Sequence, residues 1–247
     1  MEAPGRKVAI SLDTDDWSLR SNLTLPAEPM SLLDWLPFVQ ALGTYAARAA
    51  ADGAREAGRR VSCAAGCAAC CRHMAPVSPP EALALARLVE SLPEPRRSEV
   101  RARFAAAVAR ARDAGLLDGA AAATRSREEQ SRAYFNLQIA CPFLDNELCS
   151  IHDARPLACR EYLVTSPPEA CATLDEARVS PLPTRVNLME SLARAGARTL
   201  GLPAAAIPLI LSLEWSKTLD PARDRPGDPL EMLRVLLGEI GEFRVET

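Results

Sequence analysis

Residues 63–71 read CAAGCAACC, and residues 141–171 read CPFLDNELCSIHDARPLACREYLVTSPPEAC. These two runs hold all eight cysteines of a 247-residue chain. The first set is Cys63, Cys67, Cys70 and Cys71, spaced C-x3-C-x2-C-C, and the second is Cys141, Cys149, Cys159 and Cys171. Thiols gathered in this way need a common partner, and a metal is the partner whose bonding asks for several thiolates at once. A chain built around such a two-part site must bring the two runs together, and the elements between them have to do it.

Positions 63, 67, 70 and 71 fall at i, i+4, i+7 and i+8, one face of an α-helix, but the same spacing suits a loop wrapped round a cluster. Small apolar packing of cysteine is the plainer alternative, and it leaves the second run unexplained. The adjacent side chains of Cys70 and Cys71 diverge, so the pair serves two metals or one bridging arrangement. Eight thiolates satisfy two four-thiolate sites, or one site with spare redox thiols. C-x3-C-x2-C is also the spacing by which radical S-adenosylmethionine enzymes hold a 4Fe–4S cluster. Here the aromatic usual before the last cysteine is Ala69, and the strand–helix repeats of a barrel are missing.

In the second run Cys141 precedes Pro142, as cluster-ligating cysteines often precede proline. The intervals of seven, nine and eleven residues are too long for a zinc knuckle. Arg155 and Arg160 flank Cys159 and are candidate cofactor-binding residues, donating to thiolate sulfur and offsetting its charge. The competing use is pairing with Asp153 and Glu161 or capping local carbonyls. Both histidines of the chain, His73 and His152, lie beside cysteines, as ligands, as supports to ligands, or simply as hydrogen-bonded or exposed side chains. No catalytic acid or base stands out: G-x-S-x-G, P-loop and G-x-G-x-x-G patterns do not occur. Asp13, Asp15 and Asp16 read as a turn rather than a cation site.

Composition sets the frame. The chain is 48% hydrophobic but only 4% aromatic, so its core is built from Ala, Leu and Val, and the Ala/Arg/Glu richness favours helix. The length suits one large domain or two small ones. A formal charge of −3 and a pI near 5.6 give no footprint for nucleic acid. Arg96, Arg97, Arg101 and Arg103, beside Glu94 and Glu99, read as a solvated helix face. With no signal-peptide pattern in MEAPGRKVAISLDTDDW and no membrane-length apolar run, a cytoplasmic protein is expected, where clustered cysteines hold metal more often than disulfides.

The fold expected is mainly α, a helical domain organised around the two-part cysteine site, with a small N-terminal β-hairpin. Residues 7–26 alternate in strand fashion about Asp13–Asp16. A helix from Ser31, capped by Asp34, runs to about Gly58 and bends near Pro37 or Gly43. Ser78 caps a helix to Leu92, and further helices cover about 95–114 and 126–137. The second cysteine run is loop-rich apart from Pro156–Tyr162. Helices follow at 184–200, 203–218 and 228–240, the last with a stripe of Leu230, Leu233, Leu236, Leu237 and Ile240 that packs on this chain or on another. This divides the chain into a hairpin and helix (1–58), a cysteine-cluster domain (59–175) and C-terminal helices on the same globule (176–247).

GCAACCRHMAPVSPPEA, followed by CPFLDNELCSIHDARPLACREY and a final cysteine, resembles the YkgJ-type cysteine-cluster family, described as zinc- or iron-chelating domains. The resemblance covers about residues 60–172. It implies that Cys63, Cys67, Cys70, Cys71, Cys141, Cys149, Cys159 and Cys171 are the metal-binding residues, and that Arg155, Pro156 and Arg160 are motif residues. His152 stands where a tyrosine is common. The family includes flagellin lysine N-methylases associated with an iron–sulfur cluster. The expectation is therefore an iron–sulfur (4Fe–4S) protein modifying a protein or peptide side chain with S-adenosylmethionine, or a zinc protein with a structural or metal-handling role. Thiol–disulfide exchange without metal is a third reading, and oligomeric state stays open.

Overall fold

The alternation over residues 7–26 becomes two strands, β1 (Arg6–Asp13) and β2 (Ser18–Leu25), paired antiparallel from Arg6↔Leu25 to Asp13↔Ser18 in the computed structural model. The structure describes residues 5–64, 66–117, 125–174, 178–201, 205–220 and 223–246. Val8, Ile10 and Leu12 are buried along one face of β1, as a period of two requires. The acidic knot is a turn: Thr14 donates its N–H to Trp17 O at 3.0 Å, and Asp13 pairs with Arg20. Asp16 accepts the N–H of Arg185 at 2.6 Å.

Helix α1 (Leu36–Glu56) begins at Leu36 rather than Ser31. Ser31 and Asp34 do pair, with Ser31 N donating to Asp34 Oδ2 at 2.7 Å, but the turn they close precedes the helix. Pro37 consequently lies in the first helical turn, where its missing N–H costs nothing. The helix runs through Pro37 and Gly43 without interruption. Gly43 is instead a place of close approach, since a Cβ there would lie 2.9 Å from Leu157 Cδ2.

After the first cysteine run come β3 (Pro76–Val77), α2 (Pro79–Ser91) and α3 (Arg96–Asp113). Helix α2 opens on a full capping box between Ser78 and Glu81, and α4 (Arg127–Asn136) opens on a second between Ser126 and Glu129. The second cysteine run contributes a small hairpin, β4 (Leu144–Asp145) with β5 (Leu148–Cys149). Two short helices follow it, α5 (Leu157–Glu161) and α6 (Pro168–Ala172). Helix α7 (Leu188–Leu200) starts after Asn187, whose Oδ1 accepts the Glu190 N–H at 3.0 Å.

The helix expected over 203–218 is mostly something else. Residues 202–204 lie outside the described residues. β6 (Ile207–Pro208) pairs with β3, a 3-10 turn covers Leu209–Leu211, and only α8 (Ser212–Ser216) is α-helical. Pro208 drives this, because proline pushes the residue before it into extended backbone. Helix α9 (Pro229–Gly238) is capped by Asp228, and β7 (Glu242–Glu246) returns to pair with β1, Ile10 opposite Val245. The sheet order is β2-β1-β7, so the third strand is an addition to the expected hairpin.

Three apolar clusters hold the fold. In one, β1, α1, Leu157, α7 and α9 pack together, and it takes in Leu230, Leu233, Leu236, Leu237 and Ile240. The α9 stripe thus packs on its own chain. A second joins Val77, α2, Val100, Phe104, Phe143 and Ile207, and a third uses the next turns of α3 with Leu116, Tyr134 and Ile139. The second cysteine run borders the first two clusters through Ala158 and Cys141, and Met74, just beyond the first run, borders the third.

Candidate metal centre

The first cysteine run is a loop and not a helix. Gly66 sits at φ +86°, a conformation that side chains rarely adopt, and turns the chain between Cys63 and Cys67. A 3-10 turn then spans Ala69–Arg72, with Cys71 N donating to Ala68 O at 3.0 Å. The start of the loop is tied to the segment beyond α5: Ser62 N donates to Val164 O at 3.0 Å, and Val164 N to Cys63 Sγ at 3.4 Å.

The second run folds back onto this loop. Cys141 N donates to Cys71 O at 2.7 Å, so the two runs meet through their main chains. The hairpin that carries Cys149 is anchored from outside by α3, where Arg96 and Arg103 both grip Asp145 and Arg103 reaches Leu144 O at 3.2 Å. The arginines of α3 are therefore only partly a solvated face. Arg97 and Arg101 pair with Glu94 and Glu90, as such a face would, while Arg96 and Arg103 clamp the cysteine hairpin. Burial works against ionisation of Asp145, but the two guanidinium groups outweigh it and hold the carboxyl below its ordinary range. Helix α6, bearing the buried Cys171, packs on the 69–72 turn. His73 donates from Nε2 to Cys171 O at 3.4 Å and rests on the Phe135 ring, centroids 5.0 Å apart.

All eight cysteines are free thiols and share one electrostatic neighbourhood. The Cys71 thiol donates to the Cys70 sulfur, which brings Cys70 down to about 7 and raises Cys71. Burial pushes Cys141 up to about 12 and also raises Cys159, Cys63 and Cys171. Thiols raised in this way stay protonated until a cation replaces the proton, the behaviour expected of metal ligands held in a partly apolar seat. Among the described residues, no group of three or more His, Cys, Asp or Glu side chains is gathered tightly enough to hold an ion as the side chains stand. The fold brings the two runs together through their main chains.

The two arginines have different surroundings. Arg160 is buried and donates to the carbonyls of Arg155 (2.9 Å) and Asp153 and to Thr44 Oγ1 (2.9 Å), so it braces the chain around α5. Arg155 donates from Nη1 to His152 Nε2 at 2.8 Å, and its charge reaches Cys63 and Cys70. Its Nε is buried without a hydrogen-bond partner. A buried N–H left unpaired costs about 1–3 kcal/mol, and a sulfur acceptor beside Cys63 and Cys70 would satisfy it. Eight thiols and a spare charged donor form a set that suits a soft or borderline cation.

The roles of two carboxylates escaped the sequence reading. Glu81 is fully buried, accepts from Ser78 N (2.8 Å) and Ser78 Oγ (2.7 Å), and accepts from Leu157 N at 2.6 Å. It thus caps its own helix and also α5, which bears Cys159. Glu161 accepts from Leu188 N at 2.6 Å, tying α5 to the start of α7. The S-P-P-E spacing announces the first cap; nothing in the sequence announces either link to a second helix.

No curated protein and no solved structure matches the chain. Residues 62–177 match the CxxCxxCC family, whose description is "putative zinc- or iron-chelating domain". That span encloses both cysteine runs, Arg155, Arg160 and the β4–β5 hairpin, and over it the chain is similar to the YkgJ-type CxxCxxCC family.

Proposed function

We propose that this protein is a thiolate metal protein that holds an iron–sulfur cluster and uses it in modifying a protein or peptide side chain. The observation that carries the reading is the convergence of eight free thiols from two distant runs, with the unpaired Arg155 N–H beside them. A bound cluster would supply electron transfer or an open coordination position. The chain's own part is to present the thiolates, to offset their charge through Arg155, and to brace Cys159 from Glu81 and Arg160. S-adenosylmethionine as co-substrate and a protein lysine as acceptor extend this reading, on the resemblance of the cysteine motif alone to that of flagellin lysine N-methylases. Zinc is the second reading, because the family description names it beside iron. Among the described residues no helix is long and apolar enough to cross a membrane.

The test is metal and acid-labile sulfide content, with a visible spectrum, on protein purified without oxygen. The expected result is a brown protein with about four iron and four sulfide per chain for a 4Fe–4S site. A colourless protein with zinc and no sulfide would replace the cluster reading by the zinc one.

A further inference from the structure

The β4–β5 hairpin closes on a two-residue loop, Asn146-Glu147, with Asp145 opposite Leu148. Both loop residues lie at positive φ, +48° and +61°, as a tight turn matched to the twist of the strands requires. Asn suits the first of these positions and glycine the second, where a side chain is crowded by its own backbone. Glutamate stands at the second position instead, so the chain keeps local strain that a glycine would remove. Strain kept in this way has to be offset by what the side chain does.

Glu147 reaches the other cysteine run. Arg72 donates to it with both ends of its guanidinium, Nη1 to Oε2 at 3.0 Å and Nη2 to Oε1 at 2.6 Å. Arg72 Nη1 also donates to Ala68 O at 3.3 Å, which holds the guanidinium against the 69–72 turn. Arg72 follows Cys71 directly, and Glu147 stands two residues before Cys149. The hairpin is thus tied to the first run twice, by the Cys141 N–H on Cys71 O at its base and by Glu147 on Arg72 at its tip. Helix α3 holds it as well, through Arg96 and Arg103 on Asp145 and Arg96 on Ser150 Oγ at 3.1 Å. Glu147 is the most exposed partner in these ion pairs, at 58%, so the tie at the tip is the one that water and salt loosen first.

Building on the metal-binding reading, we propose that Arg72 and Glu147 form a clasp that holds the hairpin, and Cys149 with it, on the first cysteine run, and so sets how fast metal leaves the centre. Neither side chain is a ligand; both are positioning residues. The strained turn is kept because glycine at position 147 could not reach across to Arg72. Glycine there would make the better hairpin and the looser centre. When the clasp opens, the Cys141 bond and α3 keep the hairpin folded, so the tip moves while the base stays.

The test follows loss of metal to excess chelator from the full-length chain, loaded with Zn2+ or carrying its iron as purified without oxygen. Glu147→Gln and Glu147→Gly should each hasten release about fivefold, the factor an exposed bidentate pair can supply. Without metal, Glu147→Gly should melt higher than Glu147→Gln, because the turn is relieved of strain, yet release metal no more slowly. Arg72→Glu or Glu147→Arg alone should hasten release further, whereas the two together should release metal at least about threefold more slowly than either alone. A merely structural role for either residue gives no such recovery. Added salt should hasten release from wild type more than from Glu147→Gln. In the metal-free chain, deuterium uptake over residues 144–150 should rise in Glu147→Gln and in each charge reversal, and fall back in the swapped pair. Release and uptake unchanged by Glu147→Gln, or no recovery in the swapped pair, would overturn the clasp while leaving metal binding intact. A wild-type chain that takes up neither zinc nor iron would instead overturn the metal-binding reading and the control of release with it, and deuterium uptake would still decide whether the hairpin is clasped.

Discussion

Burial lifts the Glu161 carboxyl to about 7, against an ordinary 4.5, although Leu188 N and Met189 N both donate to it. Between those values the folded chain keeps a proton that the unfolded chain has released. Stability from this group is therefore full below about 4.5 and is lost as pH rises through about 7, by up to about 3 kcal/mol. Glu161→Gln is expected to flatten the urea midpoint over that window. A wild-type slope in the variant would place the titration elsewhere. Glu81 is the stricter case, because removing it orphans the N–H and hydroxyl of Ser78 and the N–H of Leu157 in a dry setting. Glu81→Ala should cost about 3 kcal/mol or more in chemical denaturation. It should also loosen metal held through Cys159, and a loss below about 0.5 kcal/mol would show that α5 needs no such cap.

At the scale of elements, α5 is a five-residue helix that could not stand alone. It is held by Glu81 at its start, by Arg160 bracing the preceding loop, and by α1, whose Gly43 admits Leu157. Gly43→Ala gains about 1 kcal/mol of helix propensity but forces a methyl against Leu157, and overpacking of this kind costs about 1–3 kcal/mol. A net fall in melting temperature is expected, with weaker metal retention, and a rise would mean that α5 can yield without cost. Elements such as α2, α3 and α4 were legible in the sequence because the caps of α2 and α4, and the prolines and Gly115 that bound α3, are local. The hairpin was legible for the same reason, through the alternation of Val8, Ile10 and Leu12. β7, β3 and β6 were not, because short strands exist only by virtue of partners far along the chain. The arrangement of the centre was half legible. The thiols announce a metal, but the meeting of the two runs depends on one backbone hydrogen bond, from Cys141 to Cys71, and on the seat of α6.

Over the whole molecule, the two cysteine runs lie beside the apolar clusters rather than within any one of them. A structural thiolate site contributes roughly 10–16 kcal/mol of apparent binding energy, comparable with the roughly 5–15 kcal/mol stability of a domain. On removal of metal by a chelator, protease is expected to cut first within residues 60–72 and 141–172. The core of β1, α1, α7 and α9 should outlast them. Equal resistance of the two forms across 60–172 would sink the idea.

The pairing of β1 with β7 also has a consequence in time. Ile10 finds Val245 only after everything between them has been made, and closing so long a loop is the slowest kind of contact to form. During synthesis β1 can pair with β2 at once, yet its other edge stays bare until β7 leaves the ribosome. An open strand edge invites pairing with neighbouring chains. The growing polypeptide is thus most prone to aggregate before β7 arrives, and that short strand serves as the seal.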